Sequence, residues 1–242
     1  MTEYVALLSG GKDSLLALEL SLLNYDINTI LTVIPENQES YMFHTPALEA
    51  IDYVEKALNI PLVKVFTPGE KEKELDDLHR AIQKIHPKGI IAGAIASTYQ
   101  RDRLRKICDK EQIDLVTPLW GKDPHWVIQT LLSRKYEVVF VGVAAQGLDK
   151  EWLGRTLTPE VYEELKFMES KYHVNVCGEG GEYETLVLDA PTYRYRLEIQ
   201  ESTAHWEKLS GWLELNKIQL IDKPKSRKKK TKRLLERGKK IS

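Results

Sequence analysis

The sequence predicts an α/β protein with a parallel β-sheet, followed by a smaller α+β part. Three observations predict this fold class. Short apolar segments alternate with helix-forming segments through the first 120 residues, which is the order found in a sheet with helices on both faces. A glycine-containing turn, Ser9–Ser14, joins the first strand to the first helix. Beyond residue 178 the helical pattern ends and the segments become β-type.

The first 120 residues contain five predicted strands and four predicted helices. Each strand is a short, mostly apolar run, and each helix is rich in helix-forming residues. Pro46 suits the first position of a helix that Thr45 caps. The predicted strands cover residues 4–8, 30–34, 62–66, 90–94 and 114–118, and the predicted helices cover residues 12–23, 46–58, 71–86 and 97–112.

Near Trp120 the alternation loosens, and we place a domain boundary there. Thr158 and Pro159 predict the cap and first position of a later helix. The predicted elements are helices over 123–134 and 158–172, and strands over 137–141, 185–189 and 193–199, the last of which alternates as an antiparallel strand does. The predicted organisation is a domain over 1–120, a smaller domain over 121–222 and a basic tail over 223–242.

Composition narrows the class of protein. Of the 242 residues, 42% are hydrophobic and 29% are charged, which is typical of a soluble globular protein. No apolar run reaches membrane-spanning length and no secretory signal is evident, so we expect a cytoplasmic protein without a membrane partner. The two cysteines, Cys108 and Cys177, lie far apart in the sequence, which disfavours a structural zinc site.

Charge is distributed unevenly along the chain. Residues 223–242 contain eleven Lys or Arg and one acid, a charge of +10, while the remainder has 24 basic and 35 acidic residues, a charge of −11. Such a tail can contact RNA or the ribosome electrostatically. The alternative is a solvated tail or one that folds against the acidic body, which the lack of interleaved aromatic residues favours.

The segment Ser9-Gly10-Gly11-Lys12-Asp13-Ser14 has the properties of an anion site. The first amides of a helix lack intrahelical acceptors, and the helix dipole adds partial positive charge there. Two glycines let the backbone close around an oxyanion, and the serine hydroxyls and the Lys12 ammonium add donors. We therefore expect a phosphate or pyrophosphate ligand at the carboxyl edge of the sheet.

The spacing of this loop is neither that of a Walker loop nor that of a dinucleotide fingerprint. It resembles the pyrophosphate loop of the ATP pyrophosphatase superfamily, whose members split ATP between the α and β phosphates. In that superfamily the loop after the second strand lies near the nucleoside. The resemblance implies that Phe43 stacks on the base and that His44 binds a phosphate or the ribose. An ordinary loop residue is the alternative for His44.

A second candidate segment follows the fourth predicted strand. Gly93 allows close backbone approach at a strand end. Gln100 and Arg103 are one helical turn apart and share a face, and an arginine there can hold a carboxylate or phosphate through two parallel bonds. A solvated basic helix face is the alternative.

The segment Gly178–Thr185 places three glycines and three glutamates within eight residues. Glycines beside acids form a tight loop that can aim carboxylates at one point. Such carboxylates bind Mg²⁺, attract an ammonium ion or accept a proton from an attacking amine. A plain acidic turn is the alternative, but acids this close repel unless a cation or basic partner is present.

Four segments together resemble the diphthine–ammonia ligase family over roughly residues 1–222. They are Ser9–Ser14, Met42–His44, Gly93–Ile95 with Tyr99–Arg101, and Glu179–Thr185. The resemblance implies a HUP-like (adenine nucleotide α-hydrolase-like) N-terminal domain. It also implies the last step of diphthamide synthesis, in which ATP and ammonia convert a carboxylate on a modified histidine of translation elongation factor 2 into an amide, with AMP and pyrophosphate as products.

On this interpretation we expect three groups of functional residues. The catalytic residues are Asp13, Glu182 and Glu184, with Mg²⁺ at Asp13, and the choice between the two glutamates as the group that assists ammonia is open. The ATP-binding residues are Ser9, Gly10, Gly11, Lys12, Asp13, Ser14, Phe43, His44, Gly93, Ala94 and Ile95. The residues expected to face the protein substrate or line its site are Tyr99, Gln100, Arg103, Glu179, Tyr183 and Thr185.

Two further interpretations of the sequence stay open. The chain can be another adenylating ligase that acts on tRNA or a small carboxylic acid, or a non-catalytic ATP-binding protein associated with the ribosome. Residue 2 is Thr rather than a nucleophilic cysteine, so free ammonium is the expected nitrogen source. Oligomeric state, including a homodimer, is open as well.

Overall fold

The computed structural model describes residues 3–35, 46–68 and 71–223. Five parallel strands form its first sheet, in the order β3-β2-β1-β4-β5. The strands are β1 (Tyr4–Leu7), β2 (Ile27–Pro35), β3 (Leu62–Thr67), β4 (Gly89–Ile91) and β5 (Asp114–Val116). The chain winds outward from β1 to β3 and then returns to the other side of β1 for β4, so the strand order reverses between β1 and β4.

Four helices connect these strands: α1 (Lys12–Ser21), α2 (Ile51–Leu58), α3 (Lys71–Ile85) and α4 (Thr98–Glu111). The segment predicted as one helix from residue 46 begins as a 3₁₀ turn over Pro46–Ala50, and Ala50 offers no side-chain cap to α2. A tight turn of this kind is frequent at a helix start. Ser97 caps α4 by accepting a hydrogen bond from the Gln100 amide.

The second part of the chain forms an antiparallel sheet in the order β7-β6-β9-β8. Its strands are β6 (Glu137–Val143), β7 (Tyr183–Asp189), β8 (Tyr195–Glu207) and β9 (Ser210–Asp222), and its helices are α5 (Pro124–Ser133) and α6 (Pro159–Tyr172). The parallel and antiparallel sheets confirm the predicted fold class.

The long hairpin of β8 and β9 extends beyond the prediction. The predicted strand over 193–199 continues to Glu207, and β9 was not predicted as a strand. The register of the pair shifts twice, between Ile199 and Glu201 and between Glu201 and Thr203. These irregularities break the alternation of apolar and polar residues that a sequence pattern relies on.

One apolar core joins the two sheets. Helix α1 is buried around most of its circumference and contacts both β1 of the first sheet and β7 of the second. A single cluster of buried side chains runs from Ala6 to Ile218. A second cluster lies between the parallel sheet and the helices α3 and α4. The predicted boundary near residue 120 falls between β5 and α5, and its assignment as a domain boundary stays a prediction.

Buried charge also links the elements around α1. Glu19 is 3% exposed. Its carboxylate accepts hydrogen bonds from Arg134 Nη1 at 2.7 Å and from Tyr136 Oη at 2.5 Å. A buried carboxylate needs such partners, because desolvation penalises an unpaired charge strongly.

Lys223, the last described residue, is held by a buried ion pair. Its Nζ lies 2.5 Å from Asp189 Oδ1 and donates to the carbonyls of Ala190 at 2.7 Å and Tyr193 at 2.9 Å. Both side chains are almost fully buried. The ammonium therefore fastens the end of β9 to the turn that follows β7.

We expect Lys223→Met to lower the free energy of unfolding by about 3–5 kcal/mol, because it leaves the Asp189 carboxylate buried without its cation. Urea unfolding followed by circular dichroism measures the change. Lys217→Met is the matched control, since Lys217 is 62% exposed and should change stability by less than about 0.5 kcal/mol. Equal effects of the two variants would contradict the prediction.

Within the described part of the chain, no helix combines the length and the apolar character required to cross a bilayer.

Candidate active site

A cavity of about 780 Å³ opens at the carboxyl edge of the parallel sheet. It lies beside the ends of β1 and β4, where the strand order reverses, which is the position where open α/β sheets bind ligands. Twelve of the predicted site residues line it: Ser9, Gly11, Lys12, Asp13, Ser14, Gly93, Ala94, Gln100, Glu179, Tyr183, Glu184 and Thr185. Segments far apart in the sequence thus meet in one cavity.

The loop after β1 is organised by its own hydroxyl groups. Ser14 Oγ accepts from the Ser9 amide at 3.3 Å and donates to the Gly11 carbonyl at 3.1 Å, and Ser9 Oγ accepts from the Gly11 amide at 3.3 Å. Gly10 has a φ of 84°, a conformation that favours glycine. Gly11 caps α1 without a side-chain hydrogen bond, so the start of the helix presents backbone donors to an anion.

Strand β7 of the second sheet is hydrogen-bonded to this loop. The Lys12 amide donates to Thr185 Oγ1 at 3.2 Å, and the Val187 amide donates to the Gly10 carbonyl at 3.0 Å. A Cβ added at Gly11 would lie 3.2 Å from the Thr185 carbonyl oxygen. Gly10 does not line the cavity. Its carbonyl serves instead as an anchor point for β7.

We expect Thr185→Val to lower the free energy of unfolding by about 1–2 kcal/mol, because the buried Lys12 amide loses its acceptor while the side-chain shape is kept. Chemical denaturation measures the loss. Thr203→Val on the exposed part of β8 is the matched control and should stay within about 0.5 kcal/mol of the wild type. A Thr185→Val variant as stable as the control would show that this bond contributes nothing.

Gly93 is where β4 meets the start of α1. A Cβ at this position would lie 2.8 Å from both the Asp13 carbonyl carbon and the Ser14 nitrogen. These atoms belong to backbone that cannot move without displacing the first turn of α1. The close approach expected at Gly93 is therefore an approach of two protein segments.

Lys12 is buried and makes specific contacts with two other segments. Its Nζ donates to Asp13 Oδ2 at 2.8 Å and to the Cys177 carbonyl at 2.5 Å, and it lies 5.1 Å from the centroid of the Tyr183 ring. Burial is the largest single influence and lowers the pKa of Lys12, but Asp13, Tyr183 and Cys177 together outweigh it, so the pKa is raised overall. Lys12 therefore stays charged.

The three glutamates of the acidic segment have different surroundings. Glu184 and Glu179 line the cavity, and Glu182 is not among its lining residues. Glu182 accepts from the Asn175 amide at 2.9 Å and from the Gly180 amide at 2.7 Å, which closes its own loop. Glu184 lies opposite Gly142 of β6, whose missing side chain leaves room for it. Glu184 thus lies in the cavity, whereas both oxygens of Glu182 are engaged with the backbone of its own loop.

Two carboxyl groups in the cavity have raised pKa values. Burial raises the pKa of Glu184 to about 7, helped by Asp13 and opposed by Lys12. Burial, and then the charge of Asp13, also raises the pKa of Glu179, whose Oε2 accepts from the Ala96 amide at 3.1 Å. A carboxylate that titrates near neutral pH is suited to accept and release a proton.

We expect Glu184 to make stability depend on pH between about 4.5 and 7. Its pKa rises from 4.5 to about 7 on folding, so its stabilising contribution is present below pH 4.5 and is lost as the pH rises through 7. Glu184→Gln should therefore unfold at a higher temperature than the wild type at pH 8, and the difference should shrink at pH 5. Calorimetry at both pH values measures this. A difference that does not depend on pH would contradict the raised pKa.

The predicted residues of the β4–α4 segment separate into two groups. Ala94 and Gln100 line the cavity, whereas Ile95 is buried in the core. The Tyr99 ring lies 3.6 Å from the Arg103 guanidinium, and Arg103 lines a smaller cavity of about 340 Å³ between α3 and α4. Tyr99 and Arg103 are not among the residues that line the main cavity. Phe43 and His44 lie outside the described residues.

The described residues contain no group of three or more His, Cys, Asp or Glu side chains placed to hold a metal ion. One feature nevertheless fits Mg²⁺. Asp13 Oδ1 is buried and has no hydrogen-bond partner within the described ranges. Mg²⁺ is commonly bound through one or two carboxylates together with substrate phosphates, so Asp13 suits a metal that arrives with a nucleotide.

Several contributors to the site were not predicted. The Cys177 carbonyl binds Lys12 through a main-chain atom, so its side chain gives no signal. Burial raises the pKa of the Cys177 thiol to about 12, which keeps it protonated. Apolar residues of α3 and α4 also line the cavity, among them Leu75, Leu78 and Leu104. Their spacing in the sequence is that of helix residues facing an apolar core, so it does not indicate a ligand cavity.

Comparison with family models gives two adjacent matches. Residues 2–114 match the diphthamide synthase N-terminal domain, and residues 123–221 match the diphthamide synthase C-terminal domain. The two matches together cover most of the chain.

Several curated relatives from vertebrates align over most of their own lengths. The chain is 31% identical to diphthine–ammonia ligase of Mus musculus over 91% of this chain and 93% of that protein. It is 30% identical to the Danio rerio protein of the same name, with 92% and 98% covered, and 32% identical to that of Homo sapiens, with 81% and 82% covered. A solved structure described as a predicted subunit of tRNA methyltransferase from Methanocaldococcus jannaschii superposes with a TM-score of 0.42 at 17% identity, covering 78% of this chain and 97% of that one.

Proposed function

Because the chain belongs to the diphthine–ammonia ligase family, we propose that it amidates the diphthine carboxylate of translation elongation factor 2. ATP first converts the carboxylate into an acyl-adenylate and releases pyrophosphate. Ammonia then displaces AMP and forms the amide of diphthamide. The observation that carries this proposal is that the phosphate loop and the neutral-titrating carboxyl group of Glu184 line one cavity.

The first step needs a leaving group, because a carboxylate would otherwise have to expel oxide. The carboxylate oxygen attacks the α-phosphorus of ATP, the bond to the β-phosphate oxygen breaks, and pyrophosphate departs. The Ser9–Ser14 loop and the N-terminus of α1 provide donors for the charge that develops on pyrophosphate. Asp13 would hold Mg²⁺ through Oδ1, and the metal when bound supplies further charge stabilisation for the phosphates.

The second step needs ammonia rather than ammonium. In its ionised form Glu184 attracts an ammonium ion into the cavity and accepts one of its protons. The neutral ammonia then attacks the acyl carbon, AMP leaves with the electron pair of the acyl–oxygen bond, and the excess proton on the new amide nitrogen passes to the departing phosphate of AMP. Glu179 adds negative charge at the same wall of the cavity, which favours a cation. Glu182 keeps the loop closed, because its carboxylate accepts hydrogen bonds from two backbone amides of that loop.

The setting of the reaction is also part of the proposal. The enzyme acts in the cytoplasm on a folded protein substrate, and Gln100 at the cavity wall faces that substrate. A substrate contact of Tyr99 and Arg103 stays a prediction. Contact of the basic tail with RNA or the ribosome stays a prediction, as does a homodimer. ATP binding by Phe43 and His44 stays a prediction too.

A direct test uses elongation factor 2 that carries diphthine. The protein is incubated with ATP, Mg²⁺ and ammonium, and mass spectrometry of the modified peptide follows the change from acid to amide, a loss of about one mass unit. We expect AMP and amide in equal amounts. Omitting the acceptor should stop AMP release. If ATP is consumed only with tRNA or a small carboxylic acid, the chain is a different adenylating ligase.

A further inference from the structure

We infer that Lys12 is a positioning residue that holds the Asp13 carboxylate in place and is not a ligand of the nucleotide phosphates. This inference rests on the proposed function, since it concerns how the ATP site is built. It departs from the expectation that the Lys12 ammonium adds positive charge directly to the anion site. Lys12 lines the cavity, but its ammonium is directed to Asp13 Oδ2 and to the Cys177 carbonyl.

The contacts of Lys12 support this role. The residue is only 3% exposed. Two of the three donors of its ammonium go to protein oxygens, Asp13 Oδ2 at 2.8 Å and the Cys177 carbonyl at 2.5 Å. The ring of Tyr183 lies 5.1 Å away, within the range of a cation–π interaction. A side chain with this set of partners already has its charge compensated inside the protein.

The same contacts fix the orientation of Asp13. Because Lys12 holds Oδ2, the second oxygen, Oδ1, is left buried without a partner in the described part of the chain. Asp13 itself lines the cavity. A carboxylate that is held at one oxygen offers the other in a defined direction, which is how supporting residues usually orient ligating groups.

Tyr183 and Cys177 extend this support into the acidic segment. Tyr183 Oη donates to the Val176 carbonyl at 2.6 Å, and its ring carbons would lie 3.1 Å from a Cβ added at Gly178. The segment before the glutamates is therefore packed around the Tyr183 ring. Lys12 ties this segment to the phosphate loop through the Cys177 carbonyl.

A double-mutant cycle on ATP binding tests the inference. The variants are Lys12→Met, Asp13→Asn and the double variant, and calorimetric titration measures their affinity for ATP with and without Mg²⁺. For Lys12→Met alone we expect about 10–100-fold weaker binding with Mg²⁺, the usual effect of losing a group that supports a ligand. In the Asp13→Asn background we expect Lys12→Met to change affinity by less than about fivefold, because the carboxylate it held is gone.

A loss of more than about fivefold in the Asp13→Asn background, with or without Mg²⁺, overturns the inference, since a direct phosphate contact would be lost in either background. Thermal unfolding gives a second readout that needs no nucleotide. Lys12→Met should unfold at a lower temperature than the wild type, because it leaves a buried carboxylate without its cation. Adding Asp13→Asn should recover part of that loss, and no recovery would contradict the pairing.

Lys122→Met is the matched control, since Lys122 is exposed and lies over the Trp126 ring. Its ATP affinity should match that of the wild type. These measurements need neither acceptor protein nor ammonium, so a failed amidation assay leaves them unaffected. If the wild-type chain binds no ATP, the proposed function and this inference fall together.

Discussion

Glu184→Gln lowers the rate of amide formation by about 100-fold to 10,000-fold, the range for loss of a positioned general base. The substitution keeps the shape of the side chain and removes its ability to take a proton from ammonium. ATP affinity should stay within about threefold of the wild type, because Glu184 lies in the acidic segment and not in the phosphate loop. Single-turnover amide formation followed by mass spectrometry measures the rate, and calorimetry measures ATP affinity.

Glu182→Gln is the matched control for this experiment. It lies two residues away in the same segment, but both of its oxygens accept bonds from backbone amides of its own loop. We expect a rate within about tenfold of the wild type, together with a loss of stability of about 1–3 kcal/mol from the amide left without a carboxylate acceptor. The assignment is reversed if Glu182→Gln is the variant that loses amide formation.

The pH dependence gives an independent check on Glu184. The carboxyl must be ionised to act, and its pKa is about 7. At a constant concentration of ammonium, the rate should therefore rise with pH and level off above about 8. Glu184→Gln should lose the inflection near pH 7. A wild-type profile that is flat between pH 5.5 and 8.5 would falsify this role.

Gly93→Ala weakens ATP binding by about 100-fold, the effect of displacing site groups by roughly an ångström. The new Cβ would meet backbone atoms of Asp13 and Ser14 at 2.8 Å, so the first turn of α1 must move. Overpacking of this kind also costs about 1–3 kcal/mol of stability. Isothermal titration with ATP and chemical denaturation measure the two effects separately.

Gly89→Ala is the control that separates stability from binding. Gly89 begins the same strand, at the end away from the cavity, and a Cβ there would lie 2.6 Å from the Tyr4 ring. We expect a similar loss of stability, with ATP affinity of the folded protein within about threefold of the wild type. Equal losses of ATP affinity in both variants would contradict the prediction that the lack of a side chain at Gly93 is needed for ATP binding.

The strands of the parallel sheet and the starts of several helices were predictable because their signals are local. Each strand is a short apolar run. The side chains of Ser97, Asp123 and Thr158 accept hydrogen bonds from backbone amides at the starts of α4, α5 and α6. The family prediction, made from four motif segments, is confirmed by the matches over residues 2–114 and 123–221. Motifs of this kind are readable because each needs particular residue types at fixed spacing.

The parts of the site that were not predictable depend on long-range contacts. The sequence leaves the choice between Glu182 and Glu184 open, and only the register of β7 against β6 places Glu184 opposite Gly142 and in the cavity. Lys12 lies in the loop motif, yet its ammonium is directed to a carbonyl 165 residues away. The second half of the β8–β9 hairpin was not predicted, because bulges around Glu201 disrupt the regular alternation of apolar and polar residues.

The anchoring of the phosphate loop by β7 has a consequence for how the protein is made. The loop leaves the ribosome well before its partner, because Thr185, which accepts a hydrogen bond from the Lys12 amide, is synthesised 173 residues later. At translation speeds of about 5–20 residues per second, the nascent nucleotide site waits roughly 10–30 seconds for this partner. During that interval the apolar sides of α1 and α2 lack the second sheet that covers them in the finished protein, and transiently exposed apolar surface of this kind favours aggregation.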